Sequence, residues 1–241
     1  MAENGSVARN VTLIAALILA LGIVIGGFLL GDGLRRARMA DRSVTVRGLA
    51  ERNVTADLAT WTISFSAQGT ELAAVQAEND RDARTVANFF RTAGFPNNAV
   101  SDAGGSVSQY FDNNRGENSV TVNRRLQLRT TDVMRARAAY ARQFDLIRNG
   151  VAVQEGSDIQ FSFTKLNEVK PQMIALATRD ARNGAVQFAR DSGTDVGGIR
   201  AATQGYFSIG ARDGDENSSG SGSDSPFQKV RVVTTIEFYL D

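Results

Sequence analysis

Residues Ala59 to Gly94 read ATWTISFSAQGTELAAVQAENDRDARTVANFFRTAG, and two periodicities meet inside them. Ala59, Trp61, Ile63, Phe65 and Ala67 alternate with Thr60, Thr62, Ser64 and Ser66. A period of two with one apolar and one hydroxyl face predicts a half-buried strand. Beyond Gly69 the period changes. Leu72, Val75, Asn79, Ala83, Val86, Phe90 and Ala93 recur every three or four residues, which places them on one face of a helix. Thr70 is the expected N-cap and Gly94 the expected stop. Each element has an apolar side to hide, so the segment predicts a helix covering one face of a sheet.

The same pattern continues in both directions. Val44 to Arg47 predicts a short strand ending at Gly48. Ser106 to Phe111 and Ser119 to Arg129 predict two strands joined by the turn-rich DNNRGEN, residues 112–118. Val120, Val122, Leu126 and Leu128 share one phase of the second, with Arg124 an intruder among them. A helix is expected from Asp132 to Asn149, with Val133, Ala136, Tyr140, Phe144 and Ile147 as its stripe and Gly150 as its stop. Ile159, Phe161 and Phe163 mark another strand. A further helix is expected from Lys170 to Ser192, with Pro171 in its first turn. Strands from Gly198 to Gly210 and Lys229 to Leu240 complete the set, the latter with Val230, Val232, Ile236, Phe238 and Leu240 in phase. Residues 211–226, ARDGDENSSGSGSDSP, carry too little apolar surface to offset the entropy of ordering, and predict a flexible hairpin loop.

An internal repeat is visible. RDARTVANFFRTAG (81–94) resembles RDARNGAVQFARDSG (179–193). Each copy precedes a hairpin with an aromatic pair, Tyr110-Phe111 and Tyr206-Phe207, and each hairpin returns on a Val-x-Val strand, at Val120 and Val230. The expected unit is strand–helix–strand–strand used twice, over about 59–129 and about 158–241, with a connector helix at about 132–149. The fold class expected is α+β, a mainly antiparallel sheet covered by helices.

At the N-terminus, Val11 to Leu30 read VTLIAALILALGIVIGGFLL, twenty residues without charge or proline. At about 1.5 Å per residue a helix of that length spans about 30 Å, the thickness of a bilayer's hydrocarbon core. A secretory signal has a shorter apolar stretch, usually about 7–15 residues, and a small-residue cleavage site. Here GDGLRRARMADR follows instead. The organisation expected is a tail (1–10), a transmembrane anchor contacting lipid through residues 11–30, an Arg-rich juxtamembrane linker (31–42) and one large domain (43–241). Gly22, Gly26, Gly27 and Gly31 are spaced for close helix pairing in lipid, although small residues are common in membrane helices generally.

Composition excludes several chemistries. The chain has no Cys and no His, so thiol redox, Cys nucleophiles, disulfides, His bases and ordinary zinc or haem sites are absent. The formal net charge is +1, giving no global field for nucleic acid. No nucleophile elbow, phosphate loop or dinucleotide fingerprint occurs, and no catalytic residue, cofactor or nucleic-acid partner is expected. Asp213, Asp215, Asn217 and Asp224 loosely match a calcium loop. Ser218 replaces its turn glycine and Asp224 its bidentate Glu, and a solvated acidic linker is the plainer reading. Arg81, Asp82 and Arg84, with Arg179, Asp180 and Arg182, read as solvated helix faces rather than a repeated anion site. Asn79 and Arg124 intrude on apolar phases; they mark either a meeting of repeats or protomers, or the edge of the core.

VTVRGLAERNVTADLATWTISFSAQGTELAAVQAEND, residues 44–80, resembles the opening of the SIMPL-domain family of bacterial periplasmic immunogenic and oxidative-stress-defence proteins. Asp57, Leu58 and Ala59 match that family's turn, although Ala56 stands where Pro is usual. Ala73, Ala77 and Asn79 match its helix, and Gln228, Lys229 and Val230 match its ending. The resemblance covers about 43–241 and implies an exported, often self-associating α+β domain without established catalytic residues. It places the domain in the periplasm. Arg35, Arg36, Arg38, Arg42 and Arg47 argue for the opposite side by the positive-inside rule. The reading that follows is a membrane-anchored envelope protein, non-catalytic and forming homo-oligomers, with a family-implied link to stress defence. The alternatives are an envelope hydrolase using carboxylate or Ser chemistry, and a ligand-binding module.

Overall fold

A computed structural model describes residues 17, 19–34, 42–113, 116–213 and 224–240. Helix α1 covers residues 19–34. The elements that follow are β1 (Ser43–Thr55), β2 (Leu58–Gly69), α2 (Leu72–Thr92), β3 (Val100–Asp112) and β4 (Glu117–Thr130). Then come α3 (Val133–Tyr140), α4 (Phe144–Arg148), β5 (Ile159–Ser162), α5 (Leu166–Ser192), β6 (Val196–Ala211) and β7 (Phe227–Leu240). The fold is α+β, with two sheets ordered β3-β4-β2-β5 and β1-β7-β6. Two compact units are present. One takes Ala50–Ile174 and Tyr206–Val232; the other takes Met1–Leu49, Ala175–Gly205 and Val233–Asp241.

In the first unit, β2 runs antiparallel to β4 from Ala59↔Thr130 to Gly69↔Val120. This register sets Trp61 opposite Leu128 and Ile63 opposite Leu126, so the apolar phases of both strands fall on one side. Ala59, Trp61, Ile63, Phe65 and Ala67 are all buried there, as the alternation predicts. Helix α2 lays Val75, Asn79, Val86 and Phe90 onto that face. The Trp61 ring meets Phe89, Phe90 and Tyr140 edge-on, with centroids 5.9, 5.2 and 5.2 Å away. Removing a large apolar side chain of this kind from water contributes roughly 1.5–3 kcal/mol.

In the other unit, Val46, Ala181, Ala185, Ile236 and Phe238 form the core. The Leu240 amide donates to the Arg42 carbonyl at 3.0 Å, tying the end of β7 to the start of β1. Helix α5 turns a stripe of small residues, Ala177, Ala181, Ala185 and Ala189, to the interior. That stripe brings the helix backbone very close to β1. A Cβ on Gly48 would stand 1.9 Å from the Ala177 carbonyl oxygen and 2.6 Å from the Ala181 nitrogen. Asp180 Oδ2 then accepts the Leu49 amide at 2.9 Å.

Several local expectations change. Strand β1 continues through Gly48, because this glycine serves the approach of α5 and does not end the strand. The α2 N-cap is Glu71, one residue beyond Thr70, and its side chain makes no capping bond. The Asp132–Asn149 helix breaks at residues 141–143 into α3 and α4. The break rotates the phase, so that Leu146 faces inward while Phe144 and Ile147 are exposed. Helix α5 begins at Leu166, which leaves Pro171 inside it and beyond the first turn. Strand β5, read as the first strand of the second repeat, finds its partner in the first. It pairs with β2, where Ile159 and Phe161 extend the Trp61 core, and β1 takes the place beside β7.

No helix among the described residues is long and apolar enough to cross a membrane. Residues 11–16 and 18 of the expected anchor lie outside the described residues.

Gly48→Ala should lower the unfolding free energy by about 2 kcal/mol or more, the order expected for overpacking against backbone. Gly198, with nothing within 4 Å of its Cβ position, serves as the control. Gly198→Ala should stay within about 0.5 kcal/mol of the parent. Urea midpoints of the two variants make the comparison, and equal midpoints would contradict the close approach.

Candidate functional site

Two buried or half-buried polar residues interrupt the apolar phases of the first unit, and the structure supplies a partner for each. Asn79 is buried, and its Nδ2 donates to the Val122 carbonyl at 3.2 Å, so it fastens α2 to β4. Arg124 follows two residues later on β4. Its Nη1 donates to Asp80 Oδ1 on α2 at 2.9 Å, and its Nε donates to Asp102 Oδ2 on β3 at 2.9 Å. Nη2 lies 2.8 Å from the same Asp102 oxygen. Both intruders therefore serve the docking of a helix on its own sheet.

Strand β3 is shaped to bring Asp102 there. Asp102 opposes Leu126 and Gly105 opposes Arg124, so β3 spends one extra residue between these pairs. Gly104 absorbs the bulge at φ +92°, and its amide donates to Asp102 Oδ1 at 2.9 Å. Gly105 admits the facing strand, since a Cβ there would lie 2.3 Å from the Asn123 carbonyl oxygen. The two glycines of SDAGG thus have different duties, one conformational and one steric. The same bulge hides the alternation of β3, which is why its first six residues do not read as strand from the sequence.

Two open grooves share Asp80, Asp102 and Arg124. The first, about 420 Å³, has Ala83, Ala87, Phe95 and Leu126 along it, with Arg84 and Arg91 at its side. The second, about 390 Å³, is lined by Gln76, Asn79, Ser106, Val107 and Asn123. Hydrogen bonds from the Gly104 amide and then from Arg124 hold the Asp102 carboxyl below its ordinary range. Asp82, elsewhere on α2, is pushed up by burial and by the charge of Glu78, against the pull of Arg81. Arg124 spans the two acids that flank it on α2 and β3. Between two carboxylates it is a charge clamp, tying α2 and β3 through β4.

The other candidate residues are dispersed. Asp213 lies in the turn after β6 and Asp224 in the bend before β7, while Asp215 and Asn217 lie outside the described residues. Among the described residues no three carboxylates gather to hold a metal ion. Gly22, Gly26, Gly27 and Gly31 fall on α1, with nothing within 4 Å of their Cβ positions. The two Arg-Asp-Ala-Arg segments have unlike surroundings. Asp180 accepts a β1 amide and Arg182 lies 5.4 Å from the Phe238 ring centroid, whereas Arg84 borders a groove. Asp80 and Asp102 escape the sequence reading because their partner, Arg124, is set by strand register across 44 and 22 residues of chain.

A carboxylate whose folded pKa is lowered adds stability above its ordinary value, here 3.8, and loses it as pH falls through the lowered value. Asp102→Asn should therefore flatten the acid side of the stability profile below about pH 5, where the parent loses this contribution as the carboxylate takes up a proton. Urea unfolding at a series of pH values gives the comparison. Parallel curves for parent and variant would show that the clamp carries no net stabilisation.

No curated protein matches the chain. The SIMPL family model, described as a protein of unknown function (DUF541), matches residues 44–238, from the second residue of β1 to near the end of β7. That span takes in every strand of both sheets together with α2 and the Asp80–Arg124–Asp102 clamp, and the chain belongs to the SIMPL family.

Proposed function

We propose that this chain is a single-pass membrane protein of the bacterial cell envelope, whose SIMPL domain is a non-catalytic module that associates with further copies of itself. The observation that carries the reading is the surface of α1. Leu19, Leu21, Ile23, Val24, Ile25 and Leu29 are all exposed, at positions that point to every side of the helix. A helix in water hides one apolar stripe, and a helix apolar all round belongs in a non-aqueous environment. The uncharged run Val11–Leu30 extends this character to the length that a bilayer requires.

The resemblance to periplasmic proteins of the family favours a periplasmic position for the domain, against the arginines at 35, 36, 38, 42 and 47. Self-association draws support from the hairpin side chains Val107, Tyr110 and Phe111, each more than half exposed. The link to stress defence rests on the resemblance alone. Any such role proceeds without thiol chemistry, because the chain has no Cys.

A reporter active on only one side of the membrane, fused after Asp241, tests the position. The expected result is an extracytoplasmic signal, with the protein resisting carbonate extraction of the membranes. A cytoplasmic signal would overturn the periplasmic assignment, and release by carbonate would overturn the anchor.

A further inference from the structure

Two sheets with free ends have four edges, and this chain treats them unequally. The β1 edge carries Arg47, Glu51 and Arg52 and gives its Leu49 amide to Asp180 of α5. Arg52 adds a bond from Nη1 to Gln172 Oε1 at 2.7 Å. The β5 edge is only four residues long, and the buried Gln228 side chain donates to the Phe161 carbonyl at 2.8 Å. At the opposite ends of the two sheets lie β3 and β6, which no other strand follows among the described residues.

These open edges are long and lack the usual protection. Strand β3 has 13 residues and β6 has 16, whereas an exposed edge in a soluble protein is ordinarily short, bulged away or studded with Lys and Pro. From Ala103 to Phe111, and from Ala201 to Ala211, neither strand carries a charge or a proline. The β3 bulge lies at residues 102–105 and leaves the stretch from Ser106 to Asp112 regularly paired with β4. All of Ser101 to Phe111 is exposed, with Val107 at 55 % and Tyr110 at 58 %, and Tyr206 on β6 is 99 % exposed. A row of unpaired amides and carbonyls on such an edge is a template for strand addition.

The flanking charges indicate which strand is added. The uncharged stretch of β3 is bounded by Asp102 and Asp112, and that of β6 by Arg200 and Arg212. Pairing β3 with β3 in antiparallel register sets Asp102 towards Asp112, and pairing β6 with β6 sets Arg200 towards Arg212. Pairing β3 with β6 sets acid towards base at both ends. Asp102 is shared with Arg124, Arg200 with Glu237, and Arg212 Nη2 donates to the Val54 carbonyl, so these charges bias the choice of partner and leave the backbone ladder to drive it.

We infer that the occupant of these edges is a second copy of this chain, with β3 of one molecule pairing to β6 of the next. This rests on the self-association proposed above and names its surface. Such a contact joins unlike edges, so two molecules either close a ring through both pairs or leave one β3 and one β6 edge for further copies.

The test uses the full chain in detergent, with the protein mass measured by light scattering and refractive index. The parent should be a dimer or larger assembly of the 25.9 kDa chain. Val107→Lys blocks the β3 edge and Tyr206→Lys the β6 edge, and each variant alone should be monomeric. An equimolar mixture of the two should form one-to-one dimers, because one variant keeps β3 intact and the other keeps β6. Circular dichroism checks that each is folded, with Tyr110→Lys and Thr203→Lys as replacements on the same strands. A β3–β3 contact would make Val107→Lys monomeric while Tyr206→Lys stays dimeric, and that would overturn the pairing proposed. An associated parent unaffected by either variant would place association elsewhere and overturn the edge inference alone. A monomeric parent would overturn the self-association reading along with it.

Discussion

Eleven consecutive pairs between β2 and β4 decide which side of each strand faces α2, and the first unit is built on that choice. A slip of one residue would turn Trp61, Ile63 and Phe65 to solvent and Thr60, Thr62 and Ser64 to the core. The register is therefore held by burial on one face. The same register carries Arg124 to the position where it meets Asp80 and Asp102, and sets the Val122 carbonyl beneath Asn79. Polar contacts at the rim inherit their geometry from an apolar ladder.

The strands and helices that bury one regular face were legible in the sequence. Alternation at Ala59–Ala67 and the three-to-four spacing from Leu72 to Phe90 report burial directly: the strand face is buried throughout, and the helix face at Val75, Asn79, Val86 and Phe90, with Leu72 and Ala83 half-buried. What stayed hidden depends on contacts distant along the chain. The role of Gly48 comes from an α5 stripe some 130 residues later, so locally the glycine looked like an end. The α3–α4 break follows from Leu146 being drawn into the core in place of Phe144 and Ile147. The pairing of β5 with β2 is a question of partner, and short apolar strands such as Ile159–Phe161 do not specify one by themselves.

The site shows the same division. Asn79 and Arg124 stood out because each breaks an apolar phase, and a buried or half-buried polar group calls for a partner. Their partners carry no such mark: Asp80 and Asp102 are ordinary surface acids in sequence. The edges were invisible for a different reason. Strand order, not strand identity, determines which strand is last in its sheet, and only the paired topology leaves β3 and β6 outermost. The molecule that results guards β1 with charges and Asp180, and β5 with a buried amide, and leaves two long edges whose central stretches carry no charge.

Amide hydrogen exchange across a range of protein concentrations addresses those open edges most directly. Protection of β2 and β4 reports the internal ladder and should not change with dilution. In β3 from Ser106 to Phe111 and in β6 from Ala201 to Gly210, protection should rise with concentration as neighbouring molecules cover the outward amides. Fast exchange in both strands at every concentration would mean that the edges remain bare, and the strand-addition account would be wrong.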